Sequence, residues 1–206
     1  MKALRAGLID IAVIGRALSS EEVGFVGRSF PLASTPFVLA SQGGRRAASF
    51  SHDELAAVYE GRLQRWDDGK PIRLVLRAST ESDTKTLKSF SPAMAGAVDA
   101  AAKRPGMAMG RDDLDTVNLL KQAPGSLGPT TLGLLRTLDV RLELLPLGGV
   151  DPTVENLKSG RYPWRKTLTV VLAARPSPLA ERFAAFLYSA EAAEILRRYD
   201  YLPERP

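Results

Sequence analysis

Short apolar runs alternate with amphipathic segments along this chain, and no other feature limits its folding more. The runs are rich in Val, Ile and Leu and have the length that is typical of buried strands. Between them, apolar residues recur at three- and four-residue spacing, as they do on one face of a helix. The runs lie at residues 8–14, 36–40, 72–76, 140–147 and 168–173. Strands that alternate with helices in this way indicate an α/β fold.

Helix start signals stand at two of the boundaries between these segments. Ser19 is followed three residues later by Glu22, and Ser51 is followed at the same spacing by Glu54. In such a capping box, the serine side chain and the glutamate side chain each accept a hydrogen bond from a free backbone N–H group. We therefore expect one helix to begin at each serine.

The segment after the third apolar run has a helical pattern that contains a proline. Leu87, Phe90 and Met94 lie in one helical register, and Pro92 stands between the last two. The shared register predicts one helix through all three apolar residues.

Composition and charge exclude several classes of protein. A chain of 206 residues is long enough for one domain or two small ones. It has no cysteine, so disulfide frameworks, zinc–thiolate sites and iron–sulfur clusters are excluded. The 28 Lys and Arg residues exceed the 23 Asp and Glu residues, for a net charge of +5. The basic residues form no run longer than a pair and no stripe with interleaved aromatic residues, so we expect no nucleic-acid partner.

Neither a membrane span nor a signal peptide is predicted in this chain. The longest uncharged stretch, residues 29–44, is interrupted by Pro31 and Pro36, whereas a spanning helix needs about 20 mostly apolar residues. The first residues carry Lys2, Arg5 and Asp10. They leave no apolar segment of the kind that forms the core of a signal peptide.

Enzymatic motifs are missing from the sequence. There is no nucleophile elbow, P-loop or HExxH pattern. The single histidine, His52, takes the second position of a capping box, where a solvated side chain is expected. A hydrolase that used His52 would need a serine and a carboxylate beside it in a cleft. We predict no enzymatic activity, no metal site and no cofactor.

The segment at residues 72–90 has the residue types of an anion-binding site. Its strand leads into a loop that carries Arg77, Ser79, Thr80, Ser82 and Thr84. Hydroxyl groups donate hydrogen bonds, arginine grips an oxyanion with two parallel ones, and a helix start favours negative charge. The alternative is an ordinary helix N-cap at Ser82 with polar neighbours, since serine and threonine are the usual caps.

A second arginine stands in a comparable position in the N-terminal part of the chain. Arg16 directly follows the first strand run, and ligands of α/β sheets bind at strand ends. The alternative for Arg16 is a surface residue. Asp10, inside the same run, is expected to be a structural hydrogen-bond partner.

Six motifs in the same order resemble those of the phosphate-type substrate-binding proteins of ABC transporters, and the resemblance extends over about residues 3–203. Each is weak alone. They are residues 7–19 ("G-x-x-D-I-A…S-R-P-L-S-x-E"), 55–66 ("L-x-x-I-Y-x-G-x-I-x-x-W"), 77–84 ("R-x-x-x-S-G-T"), 124–128 ("P-G-A-I-G-Y"), 149–163 ("G-V-x-P-T…Y-P") and the C-terminal helix with 201–203 ("G-Y-x-P").

The resemblance implies a two-lobed type 2 periplasmic-binding-protein fold with two hinge strands. Mapped onto this chain, lobe one is residues 1–36 plus 174–206, and lobe two is residues 41–166. The hinge strands are residues 36–40 and 168–173. Lobe closure would trap a ligand by a hinge motion.

The resemblance also implies a function. The chain would bind a small inorganic oxyanion, phosphate first and tungstate or molybdate next, and deliver it to an ABC transporter permease in the periplasm or cell envelope. Arg77 would supply the charge, Ser82 and Thr84 the hydrogen-bond donors, and Arg16 the contact from the opposite lobe. Ser79, Thr80 and Asp83 are further candidates.

Three departures from the family pattern stand out. The family has a strand and a helix upstream of Gly7, and we read this chain as lacking them. Asp83 stands where glycine is usual, and Gly15 where serine or aspartate is usual. A carboxylate beside an anion repels it unless it points away or accepts a hydrogen bond from a protonated oxyanion. A sensory or regulatory ligand-binding module of the same fold, or a remnant that binds nothing, are the alternative functions.

Overall fold

The structure is a computed structural model that describes residues 1–44 and 49–204. The chain divides into two compact units. Unit one combines Met1–Thr35 with Arg165–Pro206, and unit two is the continuous segment Pro36–Trp164. Each unit is described by itself below.

Helices and strands alternate along the described chain, except that α5 follows α4 and α10 follows α9 directly. In chain order they are α1 (Lys2–Arg5), β1 (Ile11–Ile14), α2 (Ser20–Val23), β2 (Val26–Ser41), α3 (His52–Glu60), β3 (Arg73–Arg77), α4 (Ser82–Lys88), α5 (Pro92–Lys103), β4 (Ala108–Gly110), α6 (Asp113–Gln122), β5 (Ser126–Thr131), α7 (Leu132–Thr137), β6 (Glu143–Leu145), α8 (Val154–Lys158), β7 (Arg165–Ala173), α9 (Pro178–Leu187), α10 (Ala190–Arg198) and β8 (Leu202–Pro203).

The two segments predicted as hinge strands lie within longer strands. Residues 36–40 belong to β2, which begins in unit one and ends in unit two, and residues 168–173 belong to β7. The chain passes from one unit to the other after Thr35 and after Trp164. That these segments act as hinges stays a prediction. Residues 45–48 and 205–206 of the predicted lobes lie outside the described residues.

Unit one is built on an antiparallel sheet. Strand β1 pairs with β7, so that Ile11 lies opposite Leu172, and β8 pairs with the first half of β2. Helix α9 packs on this sheet through Ala180 and Ala184, which form a buried cluster with Leu172. The carboxylate of Asp10 accepts a hydrogen bond from the backbone N–H of Ser177, at 3.1 Å, where α9 begins. Asp10 therefore has the structural role that was expected for it.

Unit two has a mixed sheet with helices on both faces. Strand β3 is parallel to β4 and β5, and the second half of β2 is antiparallel to β5 and β6. Alternate residues of these strands enter two separate cores: Leu74 and Leu76 face α3 and α5, whereas Val75 faces α6 and α7. This alternation follows from the two-residue repeat of a strand. The predicted α/β fold is confirmed.

The single helix predicted through Leu87, Phe90 and Met94 is wrong. Helix α4 ends at Lys88, and α5 begins at Pro92 with Ser91 as its N-cap. Proline has no N–H group and clashes with the preceding helical turn, so it is accepted at the first position of a helix but not inside one. The Ser91 hydroxyl accepts a hydrogen bond from the N–H of Met94 at 3.1 Å.

Both capping boxes predicted from the sequence are confirmed. In α2, the Ser19 hydroxyl accepts from the Glu22 N–H group, and the Glu22 carboxylate accepts from the Ser19 N–H group. Ser51 and Glu54 make the same reciprocal pair at the start of α3. Sequence spacing alone was sufficient to predict these two helix starts, because the serine and the glutamate of each box lie within one helical turn.

The motif at residues 124–128 has a structural role at the start of β5. Gly125 has a φ of +75°, and a side chain there would lie 2.4 Å from the carbonyl oxygen of Pro71. The carbonyl of Gly125 accepts a hydrogen bond from the Trp66 indole at 2.9 Å. Glycine is thus required both by the left-handed backbone and by the close approach of the chain.

We expect Met94→Ala to lower the free energy of unfolding by about 2–5 kcal/mol, because it opens a cavity in the core between α3 and α5. Met94 has no exposed surface and lies in the core cluster of α3 and α5. Met109 in β4 is 44% exposed and is the matched control, with an expected change within about 0.5 kcal/mol. Urea denaturation followed by circular dichroism measures both. Equal losses in the two variants would contradict the assignment of the core.

Candidate functional site

Residues 77–84 of unit two, called the Arg77 loop below, contain most of the residues predicted to bind an anion. This segment runs from the last residue of β3 into the first turn of α4. Strand β3 is flanked by the parallel strands β4 and β5, and Arg77 is its last residue. Ligands of parallel sheets bind at the carboxyl ends of the strands, which is where this loop lies. The Arg77 residue is nevertheless buried, with 6% of its surface exposed.

The guanidinium of Arg77 is held by partners from three elements. Its Nη2 lies 3.1 Å from Glu81 Oε2 and 3.0 Å from Asp113 Oδ1. Its Nη1 donates to the carbonyl oxygen of Gly110, at the end of β4, at 3.2 Å. A buried charge is tolerated only when it is paired and hydrogen-bonded. Two carboxylates of the same unit therefore neutralise this arginine.

One donor of Arg77 remains open. Its Nε is buried and has no hydrogen-bond partner among the described residues. A buried N–H group without an acceptor is costly. The guanidinium therefore retains one donor that an added acceptor could satisfy.

Thr84 fixes the shape of the loop. Its hydroxyl lies 3.1 Å from the carbonyl oxygen of Arg77 and 2.9 Å from that of Ala78, and donates to them. The side chain is buried together with Asp83. These bonds tie the first turn of α4 back to the end of β3.

The serine and threonine side chains of the loop differ in their surroundings. Ser82 lies 3.5 Å from the Asp83 carboxylate, a long hydrogen bond. Ser79 and Thr80 are exposed, and their hydroxyls have no hydrogen-bond partner among the described residues. Ser79 and Thr80 can therefore donate to a ligand without breaking an existing bond.

The alternative interpretation of Ser82 as a helix N-cap is wrong. Ser82 is the first residue of α4, and its N-cap is Glu81, whose side chain makes no capping hydrogen bond. The Glu81 carboxylate contacts Arg77 instead. The Glu81 carboxylate thus pairs with the buried Arg77 guanidinium and does not accept a hydrogen bond from the backbone N–H groups at the start of α4.

Arg16 belongs to unit one and is held there by a carboxylate. Its Nη1 and Nη2 donate to the two oxygens of Glu22, each at 2.6 Å, and Nη1 also donates to the Ala17 carbonyl at 2.9 Å. The hydrogen bonds from Arg16, with that from the Ser19 N–H group, lower the pKa of Glu22 to about 2. The capping box of α2 therefore also orients this arginine.

The structure brings Arg77, Ser82, Asp83 and Thr84 together in one loop of unit two, whereas Arg16 lies in unit one. Sequence reasoning missed Glu81 and Asp113, the two acids that pair with Arg77. Glu81 is only four residues from Arg77, across the short connection between β3 and α4, so closeness in sequence was the one signal that could have found it. Asp113 carries no comparable local signal, because it lies 36 residues away.

His52 is half-buried, so the expectation of a solvated side chain holds only in part. Its Nε2 is buried and has no hydrogen-bond partner among the described residues. The ring packs against Trp164, with centroids 5.2 Å apart, and against Phe90 at 5.9 Å.

Among residues 1–44 and 49–204, no group of three or more acidic or histidine side chains could hold a metal ion. No helix in the same described part of the chain is long and apolar enough to cross a bilayer.

Residues 1–191 match the family model that is described as a PBP superfamily domain. No curated protein matches the chain in sequence.

Solved structures resemble the chain over nearly its whole length. One is described as a phosphate ABC transporter substrate-binding protein with bound phosphate from Clostridium perfringens; it is 16% identical, with a TM-score of 0.79, over 99% of this chain and 83% of that one. An ABC-type phosphate transport receptor from Vibrio cholerae is 17% identical, with a TM-score of 0.65, over 100% and 83%. A phosphate-binding protein from Stenotrophomonas maltophilia is 13% identical, with a TM-score of 0.71, over 95% and 76%. At these identities the likeness shows the fold, and the predicted type 2 periplasmic-binding-protein fold is confirmed.

We expect Arg16→Gln to raise the pKa of Glu22 from about 2 towards its ordinary value of 4.5, because the charged partner is removed. A carboxyl whose pKa is lower in the folded than in the unfolded protein stabilises the folded state at pH values above its unfolded pKa. This contribution is lost as the pH falls through the pKa of the folded state. The Arg16–Glu22 pair should therefore weaken as the pH falls from about 4.5 to about 2. Carbon-detected NMR titration of the Glu22 carboxyl measures the midpoint in both proteins. An unchanged midpoint would mean that Arg16 does not cause the shift.

Proposed function

Because this chain belongs to the PBP superfamily, we propose that it binds a tetrahedral oxyanion without chemical conversion. Phosphate is the first candidate, and tungstate or molybdate are the next. The ligand is delivered to an ABC transporter permease in the periplasm or cell envelope. Support for delivery comes from the solved structures of the same fold that are described as phosphate transport receptors.

The binding site that we propose is the loop after β3. Arg77 supplies its open Nε donor, which the anion satisfies, while its charge stays shared with Glu81 and Asp113. Ser82, together with the exposed Ser79 and Thr80, supplies hydroxyl donors. Thr84 shapes the loop through the Arg77 and Ala78 carbonyls and contacts the anion with its backbone.

The observation that favours phosphate is the pair of carboxylates on Arg77. Glu81 and Asp113 both lie within 3.1 Å of its Nη2, and the buried Asp83 is in the same loop. Phosphate at neutral pH keeps a proton and can donate a hydrogen bond to a carboxylate, which is an acceptor only. Sulfate, molybdate and tungstate are fully ionised at this pH and would be repelled. The acidic residues therefore discriminate in favour of a protonated oxyanion.

We expect phosphate to raise the melting temperature of the purified chain and Arg77→Ala to remove this effect, since the variant lacks the Nε donor that the anion would satisfy. A ligand at 100 times its dissociation constant stabilises a protein by about 2.7 kcal/mol, which a thermal-shift assay detects readily. Sulfate, molybdate, tungstate and chloride are measured in parallel. Arg111→Ala is the matched control, because Arg111 is exposed and pairs with Asp115.

Two results would contradict this proposal. If no oxyanion changes the melting temperature, the chain is a remnant that does not bind. If Arg77→Ala and Ser82→Ala both respond to phosphate as the unmodified chain does, the site lies elsewhere.

In the double variant Glu81→Gln with Asp113→Asn, we expect the ratio of phosphate affinity to sulfate affinity to fall about tenfold. This change corresponds to about 1.4 kcal/mol of discrimination. The amides remove the negative charge that repels a fully ionised anion. Isothermal titration calorimetry at constant ionic strength measures both affinities. Asp115→Asn, which changes an acid paired with Arg111, should leave the ratio unchanged. A constant ratio in the double variant would separate the carboxylates from anion selection.

A further inference from the structure

Unit two contains an open pocket of about 630 Å³ at the opposite end of β3 from the Arg77 loop. It lies where β3 and β4 begin and where α3, α5 and α6 end. Leu63, Ile72, Met107 and Leu119 are among its apolar lining residues. Pockets that bind small molecules have volumes of about 300–1,000 Å³ and mainly apolar walls with a few polar groups.

The charged groups in this pocket are all positive. Arg73 and Arg104 line it, and none of its lining residues is Asp or Glu. Arg73 donates to the carbonyl oxygen of Pro124, and Arg104 Nη2 donates to that of Tyr59 at 2.9 Å. Arg104 Nε is buried and has no hydrogen-bond partner among the described residues. Neither arginine forms an ion pair with any carboxylate in the part of the chain that the structure describes.

The two arginines reach the pocket from different elements. Arg73 is the first residue of β3, and Arg104 is the C-cap of α5. An anion in the pocket would accept the open Nε–H of Arg104 and be attracted by both positive charges, with no lining carboxylate to repel it.

We propose that this pocket binds an organic anion with an apolar body. A carboxylate or sulfonate head group accepts the open Nε–H of Arg104, Arg73 adds positive charge to the same pocket, and the body packs against Leu63, Ile72 and Met107. The Arg77 loop differs because its cation is already paired with acids and its open hydroxyls suit a small inorganic ion. The pocket is therefore a second binding site of different ligand class.

The test compares two fluorescent probes that share a ring system, on the complete chain. Anilinonaphthalene sulfonate carries a negative head group, and N-phenylnaphthylamine lacks it. We expect the double variant Arg73→Met with Arg104→Met to bind the sulfonate at least about tenfold more weakly, the ratio expected for loss of one hydrogen bond to a charged group. The uncharged probe should bind as before, and excess phosphate should not displace the sulfonate.

Matched controls separate this pocket from other surfaces. Arg161→Met removes an exposed arginine of unit two outside the pocket, and Phe183→Ser removes an aromatic ring that is 47% exposed on α9 of unit one. Both should leave sulfonate binding unchanged. Arg104→Lys, with its charge retained, should recover part of the lost affinity.

Three results would overturn the proposal. One is equal sulfonate affinity in the double arginine variant and the unmodified chain. Another is a parallel loss of both probes in that variant, which indicates lost structure rather than a lost charge contact. The third is loss of sulfonate binding in Phe183→Ser, which places the probe on α9.

Discussion

The buried guanidinium of Arg77 is the constraint on which the architecture of unit two depends. A cation that has left water must be neutralised by partners in fixed positions. Here the partners are Glu81 at the start of α4, Asp113 at the start of α6 and the carbonyl of Gly110 at the end of β4. The same interaction therefore fixes the ends of two strands and the starts of two helices. Any change that moves one of these elements also changes the charge distribution in the loop.

Arginine side chains in this protein occupy three kinds of surroundings, which differ in the ligand that the arginine can bind. Arg16 is paired with the carboxylate of a local capping box. Arg77 is buried and shared between acids that come from separate elements. Arg73 and Arg104 line a pocket that has no acidic lining residue. Each of these arginines adds the same positive charge to the net charge of the chain, but their surroundings favour different ligands.

The features that were predictable from the sequence depend on neighbours within one helical turn or on the repeat of a strand. The capping box of Ser51 with Glu54 is of this kind, and so is the position of Arg77 at the end of β3. The features that were missed depend on packing between distant segments. Asp113 meets Arg77 only because β4 and β3 lie side by side. His52 is covered by Trp164, which follows it by more than a hundred residues.

The proline error has a different origin. Leu87, Phe90 and Met94 do all enter the same core, so the apolar pattern was correct about the face that is buried. It could not indicate that two helices supply this face, because the interruption at Pro92 leaves the register of buried residues intact. Apolar periodicity reports burial, whereas the continuity of a helix depends on backbone hydrogen bonds.

Unit two is one uninterrupted stretch of the polypeptide, whereas unit one is assembled from segments on both sides of it. This difference imposes an order on biosynthesis. A ribosome delivers all of Pro36–Trp164 before the strand β7 exists, and domains generally fold as units during synthesis. The nascent chain can complete the core around Met94 before β7, the partner strand of β1, has been synthesised. Until β7 emerges, β1 has no partner strand, and its backbone N–H and C=O groups are open to pairing with other chains.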